Sequence, residues 1–364
     1  MSKGCCNIQK RQCSSIASVR ELGLKRLLIA STRLPPFSGG AEQVAWEAGK
    51  RLTGAYEVHI LTVGTERAGL RESVKIHYVP SARPYTLVYS TILKPRIHTV
   101  FEEISPNILH SHLALPWGYV LAKAKCARVI TCHGSDVYPE QRSPRRFLVN
   151  HALHNADVVT APSRWLASYI EEEYNVSCMV LPNGVDTDTF RPIEGSGARD
   201  NVVLYVGRML KRKGLLELFE AARALPEYEF WLIGDPKTDA IVMPPLPNLR
   251  VMGFVNDLVT CYNQASICVF PSHWENFPLV GLEAMACGRA IIATKLGFSE
   301  YVENGRDGLV VEPGRPSNLI QSIKYLMENK SVRTGLERNA REKALHYDWK
   351  VIIKRYEELY ERFQ

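Results

Sequence analysis

No stretch of this 364-residue chain approaches the ~18 to 20 uninterrupted apolar residues that a helix needs to cross a bilayer, which argues against a helical membrane-spanning protein. The opening MSKGCCNIQKRQCSSIASVR is polar and basic and lacks the compact apolar core of a signal peptide, so a cytoplasmic protein is expected. The nine cysteines (5, 6, 13, 126, 132, 178, 261, 268 and 287) are odd in number and contain no C-x-x-C, which speaks against a disulfide framework or a zinc site and for buried thiols. Cys5, Cys6 and Cys13 fall in residues 1–22, expected to be a flexible tail. Strand motifs with interleaved aromatic and basic residues are also lacking, so no nucleic-acid partner is expected.

What is present describes a folded protein of two ordinary domains, with 46% hydrophobic and 23% charged residues. Its net charge of +7 is unevenly spread: residues 1–180 hold 22 Lys and Arg against 14 Asp and Glu, while the remainder holds 23 against 24. Part of the excess lies in KPRIH (94–98) and RSPRRF (142–147), near Tyr85, Leu87, Tyr89, Phe147 and Leu148. A basic and apolar surface of that kind suits an anionic membrane or an acidic acceptor, and its plain alternative is a solvated basic face.

Short aliphatic runs at 27–30, 58–63, 76–79, 108–111 and 129–131 alternate with helical spacings, as in a doubly wound α/β domain. The first run is followed by PPFSGGAEQ, where Gly39 and Gly40 permit positive φ and close backbone approach, and by a helix at 41–52 that turns Ala45, Ala48 and Leu52 inward. This glycine pair is part of neither a complete G-x-G-x-x-G nor a P-loop. The run at 129–131 leads into His133-Gly134-Ser135-Asp136, at the strand end where open α/β sheets bind ligands. PNGVDTDTFRP reads as an interdomain linker, and its Asp186-Thr187-Asp188 imitates a D-x-D metal motif in a context that gives no reason to expect metal. The pattern then restarts with a strand at 202–206, followed by Gly207, Arg208, Lys211, Arg212 and Lys213 before Gly214 and an amphipathic helix. Cations at a strand end beside a glycine loop suit a diphosphate, Arg giving bidentate contact and Lys a point charge.

The densest stretch is 269–294, VFPSHWENFPLVGLEAMACGRAIIAT, which reads as strand, turn, helix and strand. Glu275 stands before the helix and Glu283 in its second turn, and the free N–H groups from Phe277 to Val280 offer positive charge to an anion.

The run E-N-F-P-L-V-G-L-E-A-M-A-C-G resembles the E-x7-E signature of retaining nucleotide-sugar glycosyltransferases of family 4. G-R-x4-K-G at 207–214, P-P-x-x-G-G-x-E at 35–42 and the H-G pair at 133–134 are similar to that family's other motifs, in the expected order over residues 25–364. The resemblance implies GT-B architecture: two Rossmann-like doubly wound α/β domains facing a cleft, at 23–186 and 187–345, with a helix in 346–364 crossing back to the first. It places Arg208 and Lys213 on the donor phosphates, Glu283 on the ribose, Glu275 on the hexose hydroxyls and His133 on the transferred sugar. Gly39, Gly40 and Gly207 would line the diphosphate; Asn276, Phe277, Pro278 and Leu279 would border the donor; Phe254 and Val255 would lie by the base.

The function implied is transfer of a hexosyl group, with retention, from a UDP- or GDP-sugar to a glycan, lipid-linked or small-molecule acceptor. No metal or other cofactor is expected, and the basic surface suggests a peripheral place at the inner membrane face. The alternatives are a non-catalytic nucleotide-sugar-binding partner protein, or an epimerase or phosphorylase of the same architecture.

Overall fold

The computed structural model describes residues 23–35, 39–64, 69–71, 73–80, 93–138, 143–195, 199–235 and 241–363. The tail at 1–22, with Cys5, Cys6 and Cys13, lies outside them, as do Tyr85, Leu87, Tyr89 and Arg142. The chain divides into two compact units. One runs to Thr160 and includes Ile170–Met179 and Glu358–Gln364; the other comprises Ala161–Tyr169 and Val180–Glu357.

The first unit is built on β1 (Arg26–Ala30), β2 (Glu57–Val63), β3 (Gly69–Arg71), β4 (Val74–Val79), β5 (Ile108–His112), β6 (Ala127–Thr131), β7 (Val158–Ala161) and β8 (Cys178–Val180), in the order β3-β4-β2-β1-β5-β6-β7-β8. From β4 through β7 neighbouring strands are parallel, and β3 pairs antiparallel with β4. Helix α1 (Gly40–Leu52) buries Ala45, Ala48 and Leu52 as its spacing predicts. Helix α2 (Lys94–Ile104) was not legible: its KPRIH start reads as a basic cluster, but Pro95 occupies the first turn, where a missing N–H costs nothing. Ile97, Phe101 and Ile104 join Leu28, Leu109 and Trp117 in the core. The end of the last helix (Trp349–Glu361) contributes Tyr360, whose hydroxyl is 2.6 Å from His110 Nδ1 and whose ring meets Tyr56 edge-on at 5.6 Å.

The second unit holds six parallel strands, β9 (Val202–Val206), β10 (Glu229–Ile233), β11 (Leu249–Gly253), β12 (Ile267–Phe270), β13 (Ala290–Thr294) and β14 (Leu309–Val311), in the order β11-β10-β9-β12-β13-β14. Alternation sorts the strands onto two faces: Val202, Leu204, Cys268, Phe270, Ile291 and Ala293 enter one core. Val203, Tyr205, Ile267, Val269, Ala290 and Ile292 enter the other. A sheet buried on both faces needs the near-continuous apolar runs seen in the sequence. The thiols of Cys132, Cys178, Cys261, Cys268 and Cys287 are free and buried, that of Cys126 free and half-buried.

The order reverses direction between β9 and β12, which makes their carboxyl ends the switch point where such sheets take ligands. The loops there close tightly. A short 3₁₀ turn, Lys211–Lys213, ends at Gly214, whose φ is +75°. A Cβ on Gly214 would lie 2.0 Å from the Pro271 carbonyl oxygen, at the end of β12. Only glycine satisfies both conditions. Gly214→Ala is therefore expected to lower stability by roughly 2 kcal/mol or more, read as a fall in the denaturation midpoint. An unchanged midpoint would mean that the two loops are not in contact.

Candidate functional site

At this switch point the second unit gathers the predicted residues of its two signatures. Lys213, from the turn after β9, forms an ion pair with Glu275, from the turn after β12. Both side chains are mostly buried, 14% and 13% exposed, so the pair is partly desolvated. Burial pulls the Lys213 ammonium below its ordinary pKa, Glu275 opposes that, and Arg212 and Arg208 add to it. Ser272 Oγ donates a second hydrogen bond to the same Glu275 oxygen, at 3.1 Å. The two turns are further joined by the His273 N–H donating to the Arg212 carbonyl at 2.8 Å and by His273 Nε2 lying 2.5 Å from Glu217 Oε1. Behind Glu275, Gly297 has φ +82° and approaches so closely that a Cβ would stand 2.6 Å from the Glu275 carbonyl.

Arg208 is placed differently from Lys213. It follows Gly207 at the end of β9, and its guanidinium is exposed with no hydrogen bond or ion pair to a described residue. Its carbonyl accepts the Tyr205 hydroxyl at 2.9 Å, which fixes the backbone while leaving the charge open. The resemblance treats the two cations alike, but the structure gives one a carboxylate partner and leaves the other open to an incoming anion.

The helix Leu279–Ala286 begins after Pro278, which serves as its N-cap. Proline carries no N–H, so the donors expected across 277–280 exclude position 278, and Leu279 and Val280 supply the first-turn amides. Phe277 turns its ring into the core, 5.1 Å from Tyr301 and 5.8 Å from Tyr347, so only its backbone is available to a donor. Asn276 and Leu279 are half-buried on either side of it. Glu283 points inward and accepts a 3.0 Å hydrogen bond from Tyr262 on the helix Leu258–Gln264. Burial raises its pKa from 4.5 to about 7, the tyrosine opposing the rise. At the end of edge strand β11, Phe254 is 85% exposed while Val255 packs on the core. The Asp186 carboxylate accepts the N–H groups of Asp188 and Thr189, and Asp188 pairs with Lys350, so both serve the linker turn.

In the first unit the resemblance singles out His133, and the structure shows two more histidines with it. His110 and His112 alternate onto one face of β5; His110 stacks on His112 at 4.6 Å between ring centres, and His112 on His133 at 5.4 Å. His112 Nδ1 and His133 Nε2 lie 3.1 Å apart, while the buried His112 Nε2 has no hydrogen-bond partner among the described residues. Burial lowers the pKa of all three, to about 4 for His133 and about 3 for His110, so the cluster is neutral at pH 7. The signal for it was the H-S-H spacing at a strand's carboxyl end, which places both rings on one face. Asp136 is committed to structure, accepting the N–H groups of Ala114, His133 and Gly134 at 2.7 to 3.1 Å. Gly39 has φ −92°, not the left-handed conformation its type permits, and its N–H is held by Glu42 at 3.0 Å. Gly40 opens α1 and is exposed.

The basic surface is partly accounted for internally. Arg146 pairs with Glu173 at 2.9 Å and lies over the Tyr174 ring, whereas Lys94, Arg96 and Arg145 are exposed and Phe147 is 71% exposed. Among the described residues no helix is long and apolar enough to cross a membrane.

Comparison with known proteins bears on the family and the fold. The family described as "Glycosyltransferase Family 4" matches residues 38–189, and that described as "Glycosyl transferases group 1" matches 200–329. An uncharacterized glycosyltransferase of Methanocaldococcus jannaschii is 28% identical over 340 residues, covering 90% of this chain and 95% of its own. An N,N'-diacetylbacillosaminyl-diphospho-undecaprenol α-1,3-N-acetylgalactosaminyltransferase of Campylobacter jejuni is 30% identical over 206 residues, 52% of this chain and 55% of its own. Among solved structures, Anabaena HepE in complex with UDP-glucose superposes with a TM-score of 0.79 at 20% identity, covering 93% of this chain and 100% of that one. The match in fold is to the GT-B class.

Glu283 carries a pH dependence whose sign is fixed. Its folded pKa lies above the ordinary value, so the folded state keeps a proton that the unfolded chain releases between pH 4.5 and about 7. The stability it contributes is full below that window and is lost as the pH rises through about 7. Glu283→Gln is expected to raise the melting temperature relative to the parent at pH 8 and to give no such gain at pH 4.5. A gain that does not grow with pH would remove the protonated state.

Proposed function

Since this chain belongs to glycosyltransferase family 4, we propose that it moves a hexosyl group, with retention of configuration, from a nucleoside-diphosphate sugar to a lipid-linked acceptor. The observation that carries the donor assignment is the open Arg208 beside the half-desolvated Lys213–Glu275 pair, at the switch point of a parallel sheet. Two cations and the first amides of the helix Leu279–Ala286 suit a diphosphate. In the free protein Glu275 balances the Lys213 charge; with donor bound, the diphosphate takes over that role and Glu275 is freed toward the hexose hydroxyls. Glu283 accepts from the ribose, and Phe254 and Val255 border the base. In the first unit, His133 is neutral and held by His112, so what it can offer a ligand is a hydrogen bond rather than a charge. Asn276, Leu279 and the backbones of Phe277, Pro278 and Gly207 complete what the second unit offers the donor.

The step we infer breaks the bond from the anomeric carbon to the diphosphate oxygen and forms one to the acceptor oxygen on the same face. The acceptor proton passes to the departing phosphate, whose growing negative charge Arg208 and Lys213 stabilise. No metal is assigned a part. The lipid-linked acceptor is favoured by the undecaprenol-linked substrate in the name of the Campylobacter relative, and by the exposed Phe147 beside Arg145, which suit an anionic membrane surface.

Thermal melting with UDP-, GDP- and ADP-sugars should show stabilisation by one donor class. Arg208→Ala should then lower turnover with that donor by roughly 100-fold or more without changing the melting temperature of the free protein. Near-normal turnover would take Arg208 out of the site. For the membrane surface, Phe147→Ser with Arg145→Glu should reduce co-sedimentation with phosphatidylglycerol vesicles by about tenfold. No sedimentation of the parent protein would end that part of the proposal.

A further inference from the structure

A concave site lies in the second unit, walled by Pro162, Pro182, Phe277 and Tyr347 and enclosing about 400 Å³. That volume lies within the range of small-molecule sites. Cations from three helices border it: Arg164 from the start of the helix Arg164–Tyr174, Lys343 from Lys330–Leu345, and Arg355 from Trp349–Glu361. Lys343 has a partner in Asp307, 3.5 Å away. Arg164 and Arg355 have no carboxylate partner among the described residues, although both lie near enough to Tyr347 to influence its hydroxyl. The one carboxylate lining the pocket, Glu300, is held in place: its Oε1 accepts the Trp165 N–H at 3.1 Å and its carbonyl accepts the Tyr347 hydroxyl at 3.2 Å. The lining thus combines two arginines that have no carboxylate partner among the described residues, proline and aromatic surfaces, and an oriented carboxylate available for hydroxyl donors.

We propose that this pocket binds a small phosphate monoester, with the phosphate between Arg164 and Arg355 and a hydroxyl-bearing body against Phe277, Tyr347 and Glu300. Guanidinium groups grip phosphate oxygens in bidentate fashion, which a solvated arginine face does not require. The site is separate from the donor cations Arg208 and Lys213, and its assignment holds whichever nucleotide sugar is used. Its wall residue Phe277 belongs to the turn that carries Glu275, and Asn183, next to Pro182, directs its Nδ2 at the Phe277 carbonyl from 3.5 Å. An occupant would therefore rest directly on the signature turn.

The test is calorimetric titration of the full chain carrying Arg208→Ala, which weakens the donor site as a competing phosphate receptor and leaves the Lys213–Glu275 pair beneath Phe277 intact. Glucose 6-phosphate, inorganic phosphate and glucose are the soluble probes, and phosphatidic acid vesicles present the same monoester on a lipid. Glucose 6-phosphate should bind more tightly than inorganic phosphate, glucose should not bind, and adding Arg164→Ser with Arg355→Ser should weaken binding at least tenfold. Arg355→Lys, added alone, should keep part of it. Vesicle binding that depends on the same two arginines, without binding of soluble ester, would assign the phosphate to a lipid headgroup. Absence of both kinds of binding, or binding indifferent to the two arginines, would overturn the site.

Discussion

The ion pair between Lys213 and Glu275 is the constraint around which the second unit is arranged. Two charges drawn out of water remain favourable only if they face each other with their other hydrogen bonds met. That condition sets the neighbouring structure: Ser272 supplies a further donor, Gly214 lets one turn reach the other, and Gly297 lets the backbone close behind Glu275. The parallel order of β9 and β12 brings the two turns to the same end of the sheet. The fold thus holds the cation in place, and in the reaction we propose such preorganised charge would stabilise the leaving group.

The two units treat charge in opposite ways, and the overall composition gives the reverse impression. Residues 1–180 carry the basic excess, yet the conspicuous cluster of the first unit is three stacked histidines that burial holds neutral. The later residues are nearly balanced, yet the switch point of the second unit concentrates Arg208, Arg212 and Lys213. Electrostatic character at a site depends on which charges a sheet brings together and which it desolvates. A net count does not contain that information.

Much of the fold was legible. Strand β9 coincides with its aliphatic run, and β1, β2, β4, β5 and β6 differ from theirs by one or two residues, because a doubly covered sheet demands continuous apolar sequence. The helix Lys94–Ile104 was missed because a basic, proline-bearing start resembles a surface loop, and the edge strand Gly69–Arg71 is too short to show a period. At the site, spacing and resemblance marked Arg208, Lys213, Glu275, Glu283 and His133. They gave no sign that Lys213 and Glu275 are bound to one another, that Gly39 needs no left-handed conformation, or that Phe277 belongs to the core. His110 was visible only as a residue of the run at 108–111, and His112 fell just outside that run.

By itself the sequence determined the class of the chain: alternating apolar runs point to parallel sheets, and the glycine, cation and carboxylate motifs carry the resemblance to a glycosyltransferase family. These are local properties, written in periodicity and in the conformational demands of single residues. The tertiary structure decided which charges are paired, buried or open, because burial and pairing depend on groups far apart in the chain. Lys213 meets Glu275 across 62 positions and His110 meets Tyr360 across 250, and no local pattern records either contact.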